Sequence, residues 1–322
     1  MAPLPIVPII GGGPAGMSCA LWLHNYGLDP VIIERENVLG GMAQRDPFPN
    51  EGLLGRRAET GRENAAAFAA HIRQLNIRIW EGAAPLGVQR AAAENFALDI
   101  RLSAASRRSL VSEVVVIATG TRFAGEEWLA RVRNAREWTE RGRVHLGAPW
   151  AGEADSDLGS HVAVIGGGDN AFDVARRLVE KGVRATIVMR SQAPRAQAPM
   201  VERLRMHEQS GRARVIAGRT VEALTDPRGE LGLRLDDGSE LNADHVLLLF
   251  GYRPNSDEKW IAGLGLALDA QGYLTVHENM ETSCRGIFAI GDVANPLHPS
   301  IPTALGSATK AAREIARRLQ QA

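Results

Sequence analysis

The sequence predicts an α/β protein built from two parallel-sheet domains, each organised around a glycine-rich turn. Three observations carry that reading. An apolar strand runs into Gly11-Gly12-Gly13-Pro14-Ala15-Gly16 and then into a helix, and the same strand–turn–helix order recurs at Gly166-Gly167-Gly168-Asp169-Asn170-Ala171. The 322 residues are enough for two cores. The composition, 45% hydrophobic and 23% charged with 34 glycines, is that of an ordinary globular chain.

In the first unit, "IVPIIGGGPAGMSCALWLHNYGLDPVIIERE", the strand ends at Ile10 and the helix stops at Gly27. A second strand, residues 30–33, leads into Glu34 and Arg35. Gly11 serves the tight turn, Gly13 lets backbone approach a pyrophosphate, and Gly16 lets helix and strand pack closely. The helix that starts at Pro14 offers unpaired N–H groups from Ala15 onward to phosphate, and Glu34 is placed to accept hydrogen bonds from a ribose diol. Pro8 fits poorly inside a central strand, so either pairing begins after it or the strand bulges there.

The second unit, "HVAVIGGGDNAFDVARRLVEKGVRATIVMRSQAPR", repeats the plan with Gly166, Gly168, Asp169, Asn170 and Ala171 in the turn. Its second strand, residues 185–189, ends on Arg190 and Ser191 with Arg195 close behind, and no acid stands there. Arginines at that point select a 2′-phosphate, so this half reads as an NADPH site and the first as an FAD site. Transfer of electrons from nicotinamide to flavin is then the natural chemistry, with the protein aligning two reactive cofactors.

Between and after these units come "LGGMAQ" at 39–44, the turn-rich "DPFPNEGLLG", a helix of about fifteen residues from Glu63 and β-rich segments ending in "VSEVVVIATG". "GYRPN" and "GIFAIGD" follow the second unit, and "PSIPTALG" opens a final helix with Pro302 in its first turn. These motifs, in this order over nearly the whole chain, resemble the thioredoxin reductase-like branch of the two-dinucleotide flavoproteins. The resemblance implies a discontinuous FAD domain, residues 1–120 and 251–322, with an NADPH domain at 121–250 inserted, both Rossmann-like. It implies FAD contacts from Gly41, Met42, Gln44, Thr119, Gly120, Gly291 and Asp292, the last holding the ribityl chain. By position, Ser300 and Ile301 face the N1/O2 edge of the flavin, and Gly251 and Tyr252 border NADPH. It also implies a homodimer.

Departures from the family pattern carry the functional argument. The His-Arg-Arg-x-x-x-Arg signature reads Met189-Arg190-Ser191-Gln192-Ala193-Pro194-Arg195, and Pro299-Ser300-Ile301 replaces an Arg-Gln-Ala. Thioredoxin reductases carry Cys-Ala-Thr-Cys where "VHLGAPWAGE" places Gly147-Ala148-Pro149-Trp150. The two cysteines, Cys19 and Cys284, form no pair in sequence, so no dithiol relay is expected. Family members without the pair include ferredoxin/flavodoxin-NADP reductases, many of which extend past the last helix with an aromatic over the flavin; here "RRLQQA" lies on that helix.

The leading expectation is therefore an NADPH-dependent FAD oxidoreductase passing electrons to an acidic carrier protein. Trp150 and His145 are its candidate flavin-proximal side chains, and the arginines at 131–143 with Arg56, Arg57 and Arg62 its candidate docking rim. A low-molecular-weight disulfide reductase, a small-molecule flavoenzyme and a non-catalytic nucleotide-bound regulator stand as alternatives. The first of these usually carries a cysteine where this chain has Ala15. Zero net charge, 37 basic against 37 acidic side chains, gives no general case for nucleic acid or an anionic membrane. No histidine or cysteine spacing predicts a metal site. The apolar opening reads as a strand rather than a leader, no run reaches the length of a membrane span, and a cytoplasmic location is expected.

Overall fold

The computed structural model describes residues 4–46, 49–50, 52–56, 58–91, 95–148, 158–226 and 229–321. The chain forms two compact units, Met1–Arg122 with Arg253–Ala322, and Phe123–Tyr252.

The first unit holds a five-stranded parallel sheet. Its spatial order is Ile287–Ala289, Val115–Ile117, Ile6–Ile10, Asp29–Ile33, Arg78–Trp80. Apart from the half-buried edge strand Arg78–Trp80, these strands are short, apolar and almost wholly buried, as a sheet covered on both faces requires. On one face the helices Pro14–Asn25 and Ile301–Gln321 pack together through small residues, Cys19 and Ala20 on one and Ala308, Ala311 and Ala312 on the other. On the opposite face lies a three-stranded antiparallel sheet, Ala84–Arg90, Phe96–Arg101 and Arg107–Ser112, which contributes Val88, Phe96, Leu98 and Ile100 to the core.

Pro8 pairs in register with Val31. The odd-numbered positions send their hydrogen bonds toward the Asp29–Ile33 strand: Asp29 donates to the Pro5 carbonyl and Gly11 to that of Ile33. Pro8 therefore turns its nitrogen to the other side, where the ladder with Val115–Ile117 starts only at Ile9. Pairing begins after the proline on the one side that would have needed its N–H.

The helix expected from Glu63 starts two residues earlier, at Gly61, because Thr60 caps it. The Thr60 hydroxyl accepts from the Glu63 N–H while the Glu63 carboxylate accepts from the Thr60 N–H.

The second unit repeats the plan. Five parallel strands lie in the order Ala213–Ala217, Arg184–Met189, His161–Ile165, His245–Leu248, Val144–Leu146. Beside them stands an antiparallel sheet of Val221–Thr225, Gly232–Leu235 and Glu240–Asn242. Trp128 and Trp138 fill the core between the two sheets with Leu224, Leu233 and Val246. In both units the glycine turn follows the central strand at its carboxyl end, beside the point where the strand order reverses. In such sheets that is where a ligand finds an open crevice. Among the described residues no helix is long and apolar enough to cross a membrane.

Candidate functional site

In the first unit the turn is held by contacts that leave its phosphate-facing edge open. A Cβ at Gly16 would collide with the Gly11 carbonyl oxygen, so the helix can sit directly on the end of the strand only if residue 16 has no side chain. Gly13 precedes the helix, with Pro14 at the first helical position. Glu34, buried at the end of the second strand, accepts from the Gly12 N–H at 2.6 Å through Oε2 and from the Glu36 N–H at 2.8 Å through Oε1. Burial raises its pKa while those two N–H groups oppose the rise. Each oxygen keeps a lone pair for a ribose hydroxyl. Gly40 donates to the Gly12 carbonyl at 2.8 Å, bringing Gly41 and Met42 over the turn, and Gln44 donates back to the Leu39 carbonyl at 2.8 Å. Arg35 points outward and pairs with Glu258 at 3.1 Å.

The far side of this site is built from the chain's last third. Thr119 and Gly120 leave the strand Val115–Ile117, and Asn255 braces them: its Nδ2 donates to the Thr119 carbonyl at 2.8 Å, and Thr119 Oγ1 donates to the Asn255 carbonyl at 3.0 Å. Gly291 donates to Ser307 Oγ at 3.0 Å. Asp292 accepts from the Ser300 N–H, yet its Oδ1 is buried without a hydrogen-bond partner, and burial pushes its pKa up to about 6. An orphaned buried carboxylate oxygen at this place fits the ribityl hydroxyls of FAD, which would supply the missing donor. Ser300 caps the helix Ile301–Gln321, its Oγ accepting from Thr303 at 3.4 Å. Asn255 and Ser307 were not singled out in the sequence; Asn255 closes the "GYRPN" motif and was legible there, whereas Ser307 had no signal.

In the second unit Gly166 and Gly168 form the turn before the helix Asp169–Glu180. Arg190 and Arg195 are exposed, and neither has an ion-pair partner among the described residues. Arg195 is placed by its own N–H, which donates to the Gly167 carbonyl at 2.7 Å. Ser191 is held through its carbonyl by Gly218. The Asp169 carboxylate is turned away to the neighbouring segment, accepting from the Gln197 N–H and side-chain amide at 2.8 and 3.1 Å. That turns a negative charge away from the mouth of the glycine turn. Asn170 donates to the Tyr252 hydroxyl at 3.4 Å, and the Tyr252 ring stacks on Phe123 with centroids 5.3 Å apart.

The family described as pyridine nucleotide-disulphide oxidoreductase matches residues 6–314. The chain belongs to that family. It is 27% identical over 289 residues to a ferredoxin–NADP reductase of Ignicoccus hospitalis, covering 88% of each chain. In fold it is similar to a Lactococcus lactis thioredoxin reductase, with TM-score 0.83, 22% identity and 99% and 100% of the two chains covered. It is also similar in fold to an engineered water-forming NADPH oxidase with NADPH bound, with TM-score 0.70, 18% identity and 96% and 69% covered. Members of the family bind FAD and a nicotinamide dinucleotide, and so does this chain.

What distinguishes this pyridine nucleotide-disulphide oxidoreductase is the strand end at 144–148. Gly147 has φ +79°, and a Cβ there would fall inside the Phe123 ring. The space beside Gly147 is thus filled by an aromatic side chain that the sequence reading missed, since Phe123 carries no motif. Cys19 has no exposed surface and burial pushes its thiol pKa up, so it is inert. Pro149 and Trp150 lie outside the described residues.

His145 is committed elsewhere. The Arg143 guanidinium, which only donates, lies 3.2 Å from His245 Nε2, so His245 carries its proton on Nδ1. That Nδ1 meets His145 Nε2 at 2.9 Å, and the remaining His145 N–H goes to the Gly142 carbonyl. Burial, then repulsion from His245, then from Arg143 hold the His145 pKa down to about 4.

Three outcomes are expected from this geometry. Gly147→Cys destabilises the protein by about 1–3 kcal/mol through overpacking, and a double-mutant cycle with Phe123→Ala shows favourable coupling in thermal unfolding; strict additivity would contradict the overlap. Asp292→Asn weakens FAD binding to the apoprotein by about tenfold or more, because a charged hydrogen bond is lost, as read by flavin fluorescence. The depressed His145 pKa means the unfolded chain binds more protons between about pH 6.5 and 4. Stability contributed by this group is complete above that window and falls as pH drops through it, with burial of His161 adding to the slope. The pH dependence of the unfolding midpoint is therefore shallower in His145→Asn.

Proposed function

We propose that the protein is an NADPH-dependent FAD oxidoreductase that hands electrons to a one-electron carrier protein of the ferredoxin or flavodoxin type. The observation that carries this reading is the missing sulfur relay: two cysteines in the whole chain, unpaired in sequence, and a phenyl ring where the first sulfur would lie. FAD, when bound, supplies the conversion between two-electron and one-electron chemistry. The protein's share is placement. Gly11–Gly16 and Glu34 hold the adenosine half, Asp292 the ribityl chain, and Ser300 and Ile301 present a helix start to the flavin's polar edge.

Preference for NADPH is supported by Arg190, Ser191 and Arg195, whose two guanidiniums meet no carboxylate among the described residues. The engineered NADPH oxidase points the same way. Four of its five substitutions replace Asp, Ala and Met at three consecutive positions by Ala, Arg and Ser, and a Pro six residues past the new Arg by a second Arg. This chain carries Met189, Arg190, Ser191 and Arg195 in the corresponding order.

An acidic carrier is supported by Arg131, Arg133 and Arg136, all exposed and without ion-pair partners among the described residues. Arg56 and Arg141 contribute less, because Glu59 neutralises the first and Glu137 with Asp226 the second. A homodimer located in the cytoplasm completes the reading.

Two measurements test it. NADPH bleaches the flavin in a stopped-flow experiment, and ferredoxin or flavodoxin accelerates reduction of cytochrome c. Bleaching with no response to either carrier assigns the protein to the small-molecule reductases, and absence of bleaching to a regulator. Arg190→Ala and Arg195→Ala each raise the NADPH KM by about tenfold or more, since a charge-assisted hydrogen bond to phosphate is lost, while the NADH KM stays unchanged. Equal losses with both nucleotides would remove the 2′-phosphate role.

A further inference from the structure

The first unit has a cavity of about 300 Å³ at the edge of its sheet opposite the dinucleotide turn. It is lined by Arg90, Arg285, Arg317, Arg318, Glu113 and Gln321, with Gly286 contributing backbone. Glu113 and Gly286 precede the strands Val115–Ile117 and Ile287–Ala289, whereas Thr119 and Gly291 follow them. The strands themselves thus separate this cavity from the residues assigned to FAD.

We propose that this cavity is a second ligand site, for a small polyanion bearing phosphoryl groups. Four guanidiniums line it, with Glu113 in the wall and Glu281 and Glu314 behind Arg317 and Arg318, which leaves cations in excess by one. Two of them are pre-aimed. Arg318 lies largely buried over the Phe288 ring, 5.3 Å from its centroid, and is pinned to Glu281 at 2.7 Å. Arg317 is held by Glu314 through Nε and Nη2 at 3.0 and 2.7 Å and by Gln321 Oε1 through Nη1 at 3.1 Å, which leaves one N–H on each Nη. Such pairs orient an arginine while leaving further N–H donors of its fork for a ligand.

Arg90 supplies the charge those pairs do not balance. Its guanidinium packs over the Phe96 ring and meets the Cys284 Sγ at 3.3 Å, and among the described residues no carboxylate pairs with it. Guanidinium forks match phosphoryl oxygens in geometry and charge, and a concave wall focuses their field. The volume suits a phosphate monoester or diphosphate group rather than a dinucleotide. The inference is independent of the electron acceptor, since the residues assigned to FAD lie at the other end of these strands.

Cys284 makes the site readable. It is partly exposed beside Arg90, while Cys19 is fully buried and serves as an unreactive internal reference. In the FAD-loaded protein, alkylation of Cys284 by iodoacetamide is followed by mass spectrometry with increasing inorganic pyrophosphate or with potassium chloride at matched ionic strength. Pyrophosphate is expected to slow labelling saturably with half-effect below about 1 mM, chloride to have no such effect, and the protection to vanish in Arg90→Gln/Arg317→Gln. Pyrophosphate held at the nicotinamide turn does not touch this readout.

A second measurement covers the case in which the double variant loses its fold. In the wild type, the rate ratio of iodoacetate to iodoacetamide at Cys284 should exceed that of free cysteine by about threefold or more, through local attraction of the anionic reagent. Protection by pyrophosphate no greater than by chloride, full protection in a folded double variant, or a rate ratio equal to that of free cysteine overturns the proposal.

Discussion

The structure depends on one close approach, that of a helix start to the end of a central parallel strand. A single β-carbon at Gly16 would push the helix off the Gly11 carbonyl, and with it the row of unpaired N–H groups that faces the phosphates. Everything around the turn serves to keep that approach rigid. Glu34 ties the Gly12 N–H to the second strand, Gly40 ties the following loop to the Gly12 carbonyl, and the small residues of two packed helices let the layer close down on the sheet. A polar ligand is admitted because the backbone itself lines the crevice, and backbone donors cannot swing away from it.

The same economy explains how one chain serves two dinucleotides. The two units share strand order and turn, and differ where the second strand ends. In one the carboxylate of Glu34 is buried and held by two N–H groups, leaving lone pairs for a diol. In the other exposed guanidiniums stand in its place, and the nearest acid, Asp169, is engaged by Gln197. The two halves thus present opposite electrostatic signs at one equivalent position.

A protein of this family that lacks sulfur at residues 147 and 150 has not simply left a gap. Phe123 fills the space beside Gly147 and is itself stacked on Tyr252, whose hydroxyl reaches the first turn of the nucleotide-binding helix. Gly147 is thereby part of an aromatic wall in the second unit.

Local pattern was enough to read the two turns, the strand–helix alternation, the acid and the arginines at the strand ends, and the absence of a cysteine pair, because each is set by residues adjacent in sequence. The helix start at Gly61 was missed by two residues although the Thr60–Glu63 capping box stands in the sequence. Other features depend on residues brought together from far apart. The bracing of Thr119 by Asn255, the support of Gly291 by Ser307, the commitment of His145 to His245 and Arg143, and the overlap of Phe123 with Gly147 are of this kind. Pro8 shows the division most plainly. Sequence stated the difficulty, a missing N–H in a central strand, and only the register of the sheet decided which neighbour would do without it. Hydrogen-bond direction alternates along a strand, so its consequences appear only once the neighbours are in place.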